Sequence, residues 1–96
     1  MNDNPKFTLG RRVVTRGVML LLREGRLNEV VLDTLFKRHV SEDWGDLDSE
    51  DKAANDTNIE EGGRLLSNYA LDGGLRIWII TEPDRSVTTA LLPDEN

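Results

Sequence analysis

The sequence predicts an α+β fold in which two or three N-terminal helices pack on one face of a three- to four-stranded antiparallel sheet. Three observations predict it. Apolar residues recur at helical spacing from Val31 to His39 between capping and stop signals, the period changes to two at Arg64, and the β-rich runs that follow are joined by short turn-forming segments. Ninety-six residues suffice for one small core, so residues 1–96 read as a single domain. Within it, 15–61 is mainly helical and 64–92 forms antiparallel strands.

Each element has its own local reason. "MNDNPK" (1–6) is polar, contains a proline and lacks periodicity, so it reads as a flexible lead-in. "FTLGRRVV" (7–14) holds one short strand interrupted at Gly10. Thr15 caps a helix through "RGVMLLLREG", which Gly25 stops in the left-handed conformation. Asn28 caps a second helix, "EVVLDTLFKRHV", where Val31, Leu32, Leu35, Phe36 and His39 share one face and Lys37 and Arg38 meet the negative end of the dipole. The two helices are expected to form a hairpin. Asp48 or Ser49 caps a third through "EDKAANDTNIEE", ended by Gly62 and Gly63; with only Ala53, Ala54 and Ile59 apolar, it should be largely solvated. "RLLSNYA", "LRIWIIT" and "SVTTALL" then form a meander joined by "LDGG" and "EPDR" and closed by Pro93. In its middle strand Leu75, Ile77, Ile79 and Thr81 lie on one face and Arg76, Trp78 and Ile80 on the other, so both faces carry large apolar groups.

Composition narrows the function. The chain has no cysteine, which removes disulfides and thiolate chemistry and fits a reducing, cytoplasmic setting. "GVMLLL" is too short to span a membrane, and no signal pattern surrounds it. Residues 1–40 carry eight Lys or Arg against four Asp or Glu, whereas residues 41–63 carry one against nine. The net charge of −6 therefore comes from one local acidic segment. A field of this sign disfavours nucleic acid and suits a protein partner with a basic surface.

The acidic segment opens with "HVSEDWGDLDSED" (39–51), which holds the single histidine and one of two tryptophans. Asp46, Asp48 and Glu50 have the 1, 3, 5 spacing of a calcium loop, but Asp51 stands where glycine is needed and Thr57 where a bidentate glutamate is needed. One histidine without cysteine also argues against zinc, so neither a metal nor another cofactor is expected. His39 suits general acid–base work at neutral pH; its ordinary role is to end the second helix with its ring partly covered, donating to a carbonyl or a nearby acid. Trp44 is either a plug beneath a tight loop or an exposed stacking ring. The acids either satisfy the dipole of the third helix or form, as Asp43, Asp46, Asp48 and Glu50 together with Trp44 and Trp78, a binding surface. In the sheet, Arg64, Ser67, Tyr69, Arg76, Arg85, Ser86, Thr88 and Thr89 supply guanidinium and hydroxyl groups that, facing a histidine, would activate a ribose 2′-hydroxyl and stabilise a phosphodiester's developing charge without a metal. Their ordinary role is strand propensity and solubility.

"RHVSEDWGDLD", Asn55, "GGRLLSNY" and "RIWIITEPDRSVTTALLP" resemble a family of small bacterial proteins labelled plasmid-related and found with mobile elements, a label that carries no established activity. The resemblance covers residues 38–93. It departs at Glu42, where the family usually has glycine, and at the end, where "PDEN" replaces a Pro-x-Glu-Tyr. A looser resemblance in layout, helices bearing a histidine before a sheet bearing arginine and hydroxyls, is to the barnase-like and RelE-like ribonuclease fold; on that analogy His39, Arg64, Ser67, Tyr69 and Thr88 form the catalytic set. Two functions follow as expectations. The first is an acidic accessory protein of a mobile genetic element, binding a basic partner in counter-defence or regulation. The alternative is a metal-independent toxin-type ribonuclease, whose partner is RNA. The −8 balance of residues 41–63 favours the first.

Overall fold

Threonine, asparagine and aspartate open the helices at the expected places. Thr15 Oγ1 accepts from Val18 N (3.4 Å), Asn28 Oδ1 from Val31 N (2.8 Å) and Asp48 Oδ1 from Asp51 N (2.8 Å). The computed structural model describes residues 5–96 and resolves them into β1 (Arg11–Val14), α1 (Arg16–Arg23), α2 (Glu29–Val40), α3 (Ser49–Glu61), β2 (Leu65–Ala70), β3 (Arg76–Thr81) and β4 (Val87–Leu91). Gly25 and Gly62 turn left-handed after α1 and α3, releasing the chain at each C-terminus. Of the expected flexible lead-in, residues 1–4 lie outside the described residues, and Pro5 and Lys6 are exposed.

The fold class is α+β, with one correction. Strand order is β1-β4-β3-β2: β2, β3 and β4 form the expected antiparallel meander, but β1 pairs with β4 in parallel, from Arg11 opposite Val87 to Val14 opposite Ala90. The sheet is therefore mixed. All three helices intervene between β1 and β2, and a long crossover lets a strand return in the same direction, which a tight turn forbids.

The register sets one face of the sheet under the helices. Leu65, Ser67 and Tyr69 of β2, Ile77, Ile79 and Thr81 of β3, and Thr88 and Ala90 of β4 all lie there, and all are buried. The main core joins Ile77, Ile79, Tyr69 and Ala90 to Val18 and Leu21 of α1, to Leu27, and to Leu32, Leu35 and Phe36 of α2. Each large apolar side chain buried there contributes about 1.5–3 kcal/mol. A smaller cluster, Phe7, Trp44 and Leu65, fills the space where α2, α3 and the edge of β2 meet. α3 brings almost nothing apolar to either cluster: Ala53 and Ala54 are exposed, Ile59 is half-buried, and Asn55 is its one buried residue.

Candidate functional site

The residue types expected to carry catalysis converge, but inside the molecule. His39 ends the apolar face of α2, so the same periodicity that buries Leu32, Leu35 and Phe36 drives its ring into the core at 0 % exposure. Phe7 and Trp44 enclose the ring edge-on at 5.6 and 5.5 Å between centroids. Its Nδ1 lies 2.6 Å from Ser67 Oγ and its Nε2 2.9 Å from Thr81 Oγ1, which lies 2.7 Å from Thr88 Oγ1. Thr88 donates onward to the carbonyl of Leu9 at 2.6 Å.

That last bond sets the direction of the whole chain. A hydroxyl has one hydrogen. Thr88 spends its own on Leu9, so it accepts from Thr81; Thr81 then accepts from His39 Nε2, and Nδ1 is left to accept from Ser67. The ring is thus a neutral imidazole in the Nε2–H form with both nitrogens satisfied. Burial holds its pKa down to about 3, which agrees with a ring that takes up no second proton near neutral pH. A hydroxyl 2.6 Å from an imidazole is the spacing of a nucleophile and its base. Here Ser67, Thr81 and Thr88 are all 0 % exposed, so no substrate reaches them in this conformation.

Of the other members of the expected catalytic set, Tyr69 lies beside Ser67 on β2 with its hydroxyl committed elsewhere, and Arg64 stands apart. Tyr69 is buried on β2; its hydroxyl donates to the carbonyl of Asp43 (2.6 Å), the Arg38 guanidinium covers its ring, and burial pushes the phenol's pKa up. Arg64 is exposed and faces Glu82 at 3.9 Å. Thr81, which sequence reading did not assign to the site, is essential to the network; a hydroxyl alternating with Ile77 and Ile79 on the inner face of β3 is the signal for it.

The acidic segment divides into two groups. Residues 43–46 form a clamp on the outer edge of β2. Trp44 carbonyl accepts from Asn68 N (3.0 Å), Asp46 N donates to Asn68 carbonyl (2.7 Å), and Gly45 crosses so close that a Cβ there would stand 2.1 Å from that same oxygen. Trp44 itself is a plug, 4 % exposed, stacked on Phe7, with its indole N–H directed at Asp56. Asp43 pairs with Arg38 through two bonds (2.6 and 3.3 Å), which hold its carboxyl below the usual range. Asp46 pairs with Arg76 and Glu42 with Lys6, while Asp48 caps α3. Of the residues expected to form a binding surface, Asp43, Trp44, Asp46 and Asp48 therefore serve the fold, and Trp78 lies half-buried on the opposite sheet face.

Glu50 belongs to the second group. With Asp51, Asp56, Glu60 and Glu61 it stands exposed on α3, and none of the five forms an ion pair among the described residues. Polar side chains hold the helix in place. The Asn55 amide donates to Leu66 carbonyl (2.7 Å) and accepts from Leu66 N (3.1 Å), completing the ladder that β2 lacks on that side. Arg85, in the left-handed conformation at φ 62°, donates to the carbonyls of Asn58 (2.9 Å) and Gly63 (2.6 Å) at the C-terminus of α3. Among the described residues no group of three or more metal-ligating side chains converges, and no helix is long and apolar enough to cross a membrane. Comparison with protein-family models, with curated proteins and with solved structures finds no match for this chain.

Proposed function

We propose that this protein is a small acidic accessory protein that binds a basic protein partner through the outer face of α3. One observation carries the reading. Five carboxylates without a cation partner among the described residues stand on a helix that contributes one buried residue, an asparagine, to the body. Glu50 and Asp51 meet the positive end of α3's dipole, but Asp56, Glu60 and Glu61 lie in its second half, where like charges repel and the negative end disfavours anions, and the apolar burial that stabilises most helices is missing. A basic partner would neutralise the repulsion and supply the missing contact. The resemblance to mobile-element proteins supports a nucleic-acid-handling protein as that partner, and covering its basic surface is how a counter-defence or regulatory factor would act.

The ribonuclease reading draws less support, because the imidazole it needs is enclosed and Arg64 lies outside the network.

The test is the triple variant Glu50→Lys, Asp51→Lys and Glu60→Lys, chosen because none of the three pairs with a cation among the described residues. In a pull-down from host lysate, the partner captured by the native protein should be lost while the chain stays folded, Tm falling only by what the first-turn acids Glu50 and Asp51 contribute through the helix dipole. A partner that the triple variant still binds would remove the proposal.

A further inference from the structure

The two edges of the sheet are finished differently. On the β2 edge, Asn55 and the 43–46 clamp bond the outward backbone groups of Leu66 and Asn68. The β1 edge has no such cover among the described residues. Arg11 donates to the carbonyl of Ser86, just before β4, and Thr15 to that of Ala90 on β4, so alternation along a parallel pair turns the N–H and C=O of Arg12 and Val14 outward. No group among the described residues bonds them. Beside this edge lies a groove of about 570 Å³ between β1, α1 and α2, with Val14, Met19, Leu22 and Leu32 in its walls and Arg12 and Arg23 among its polar lining. Met19 remains 47 % exposed there, and Leu20 beside it 42 %.

We propose that the β1 edge and this groove bind an extended acidic peptide, which adds to the sheet as a further strand. Backbone groups of Arg12 and Val14 provide the ladder, and the groove takes alternate apolar side chains of the peptide. Charge selects the occupant. Arg11, Arg16 and Arg23 form no ion pair among the described residues, whereas the carboxylate of Asp33 in the groove is already held by Arg12 (2.9 Å) and Lys37 (3.1 Å). Glu29, also in the lining, favours an apolar side chain over an acidic one at that wall. A second copy paired through the same edge would set Arg11 and Arg12 against their own counterparts, and like charges across a strand pair are destabilising. A nucleic acid would satisfy the arginines, but it offers nothing to the apolar walls and no amide ladder to the edge.

The experiment uses a synthetic peptide alternating Glu and Val, its Lys and Val counterpart, the Glu and Val peptide N-methylated at every second residue, and an oligothymidylate. Amide resonances of the full chain are followed during titration of each. The acidic peptide should bind at one site and shift Arg12 and Val14. Affinity should fall at least tenfold for Val14→Pro, which removes one outward N–H, and for the pair Arg16→Glu and Arg23→Glu. The N-methylated and Lys-containing peptides should not bind. The proposal is overturned if the N-methylated peptide binds equally, if the oligothymidylate binds the same edge more tightly, if sedimentation shows a dimer through β1, or if the acidic peptide leaves Arg12 and Val14 unmoved.

Discussion

His39 has both ring nitrogens committed and aromatic rings on two sides, so protonating it would place a charge in a site built for a neutral ring. The consequence is a pH dependence of definite sign. The unfolded imidazole titrates at its ordinary value of 6.5, and the folded one at about 3. Between those values the unfolded chain binds a proton that the folded chain refuses, so stability is full above pH 6.5 and declines as pH falls. From pH 8 to pH 5 the loss is about 2 kcal/mol from this residue. The carboxylates held low by partners, Asp33, Asp43, Asp84 and Glu95, act in the same direction but at lower pH, through their ordinary range near 4. Urea unfolding at pH 8, 6.5 and 5 should therefore show a slope in the native protein that His39→Gln lacks, although the variant is less stable throughout; parallel curves would contradict a neutral, sealed ring. Gly45 is the other residue with a sharp expectation. At φ 74°, with Asn68 oxygen where a Cβ would sit, Gly45→Ala should cost at least about 2 kcal/mol and open the clamp, read as faster amide exchange at Asn68.

α3 is an element held by hydrogen bonds more than by apolar contact, and its stability should respond accordingly. Asn55→Ala removes both partners of Leu66 at once and leaves a strand carbonyl and N–H at a partly buried edge. The expected cost is about 2–3 kcal/mol. Because the side chain is replaced by a good helix former, helix propensity works in the opposite direction, so the loss reports the latch itself. Hydrogen exchange should show α3 and the outer edge of β2 opening together while β3 stays protected; uniform loss of protection would mean that α3 is integral to the main core. Arg85 strengthens the same attachment from the β3–β4 turn, where its left-handed backbone aims the guanidinium at carbonyls ending α3.

Across the whole molecule the charge separates along the sheet. β1 and β2 are its two edges; Arg11 and Arg16 stand at one, and α3 with its five carboxylates packs at the other, all seven without an ion pair among the described residues. A net charge of −6 therefore describes neither end. Association with a basic partner at the α3 end should be fast at low salt and slow by about tenfold or more between 0.05 and 0.5 M salt, since screening shortens from about 14 to about 4 Å over that range. Stopped-flow mixing with the partner recovered in the pull-down measures this. A rate independent of salt would show that the α3 carboxylates do not steer the encounter.

Much of this architecture is legible in local chemistry. The caps at Thr15, Asn28 and Asp48, the left-handed glycines, and the change of period at Arg64 depend on neighbours within a few residues, so the helices and the meander follow from the chain itself. The apolar face of α2 is equally plain, and it carries His39 inward with it. Long-range partners are what the pattern leaves open. Four residues of β1 hold no information on which strand they join or in which direction, and that choice waited on the crossover through three helices. The carboxylates of residues 41–63 look alike in sequence, yet Arg38, Arg76, Lys6 and the first turn of α3 take four of them into the fold and leave five in solvent. A histidine, a serine and threonines far apart in sequence suggest catalysis by their types alone. Packing against Phe7 and Trp44 closed them off, because the same burial that aligns their hydrogen bonds also excludes water and any substrate.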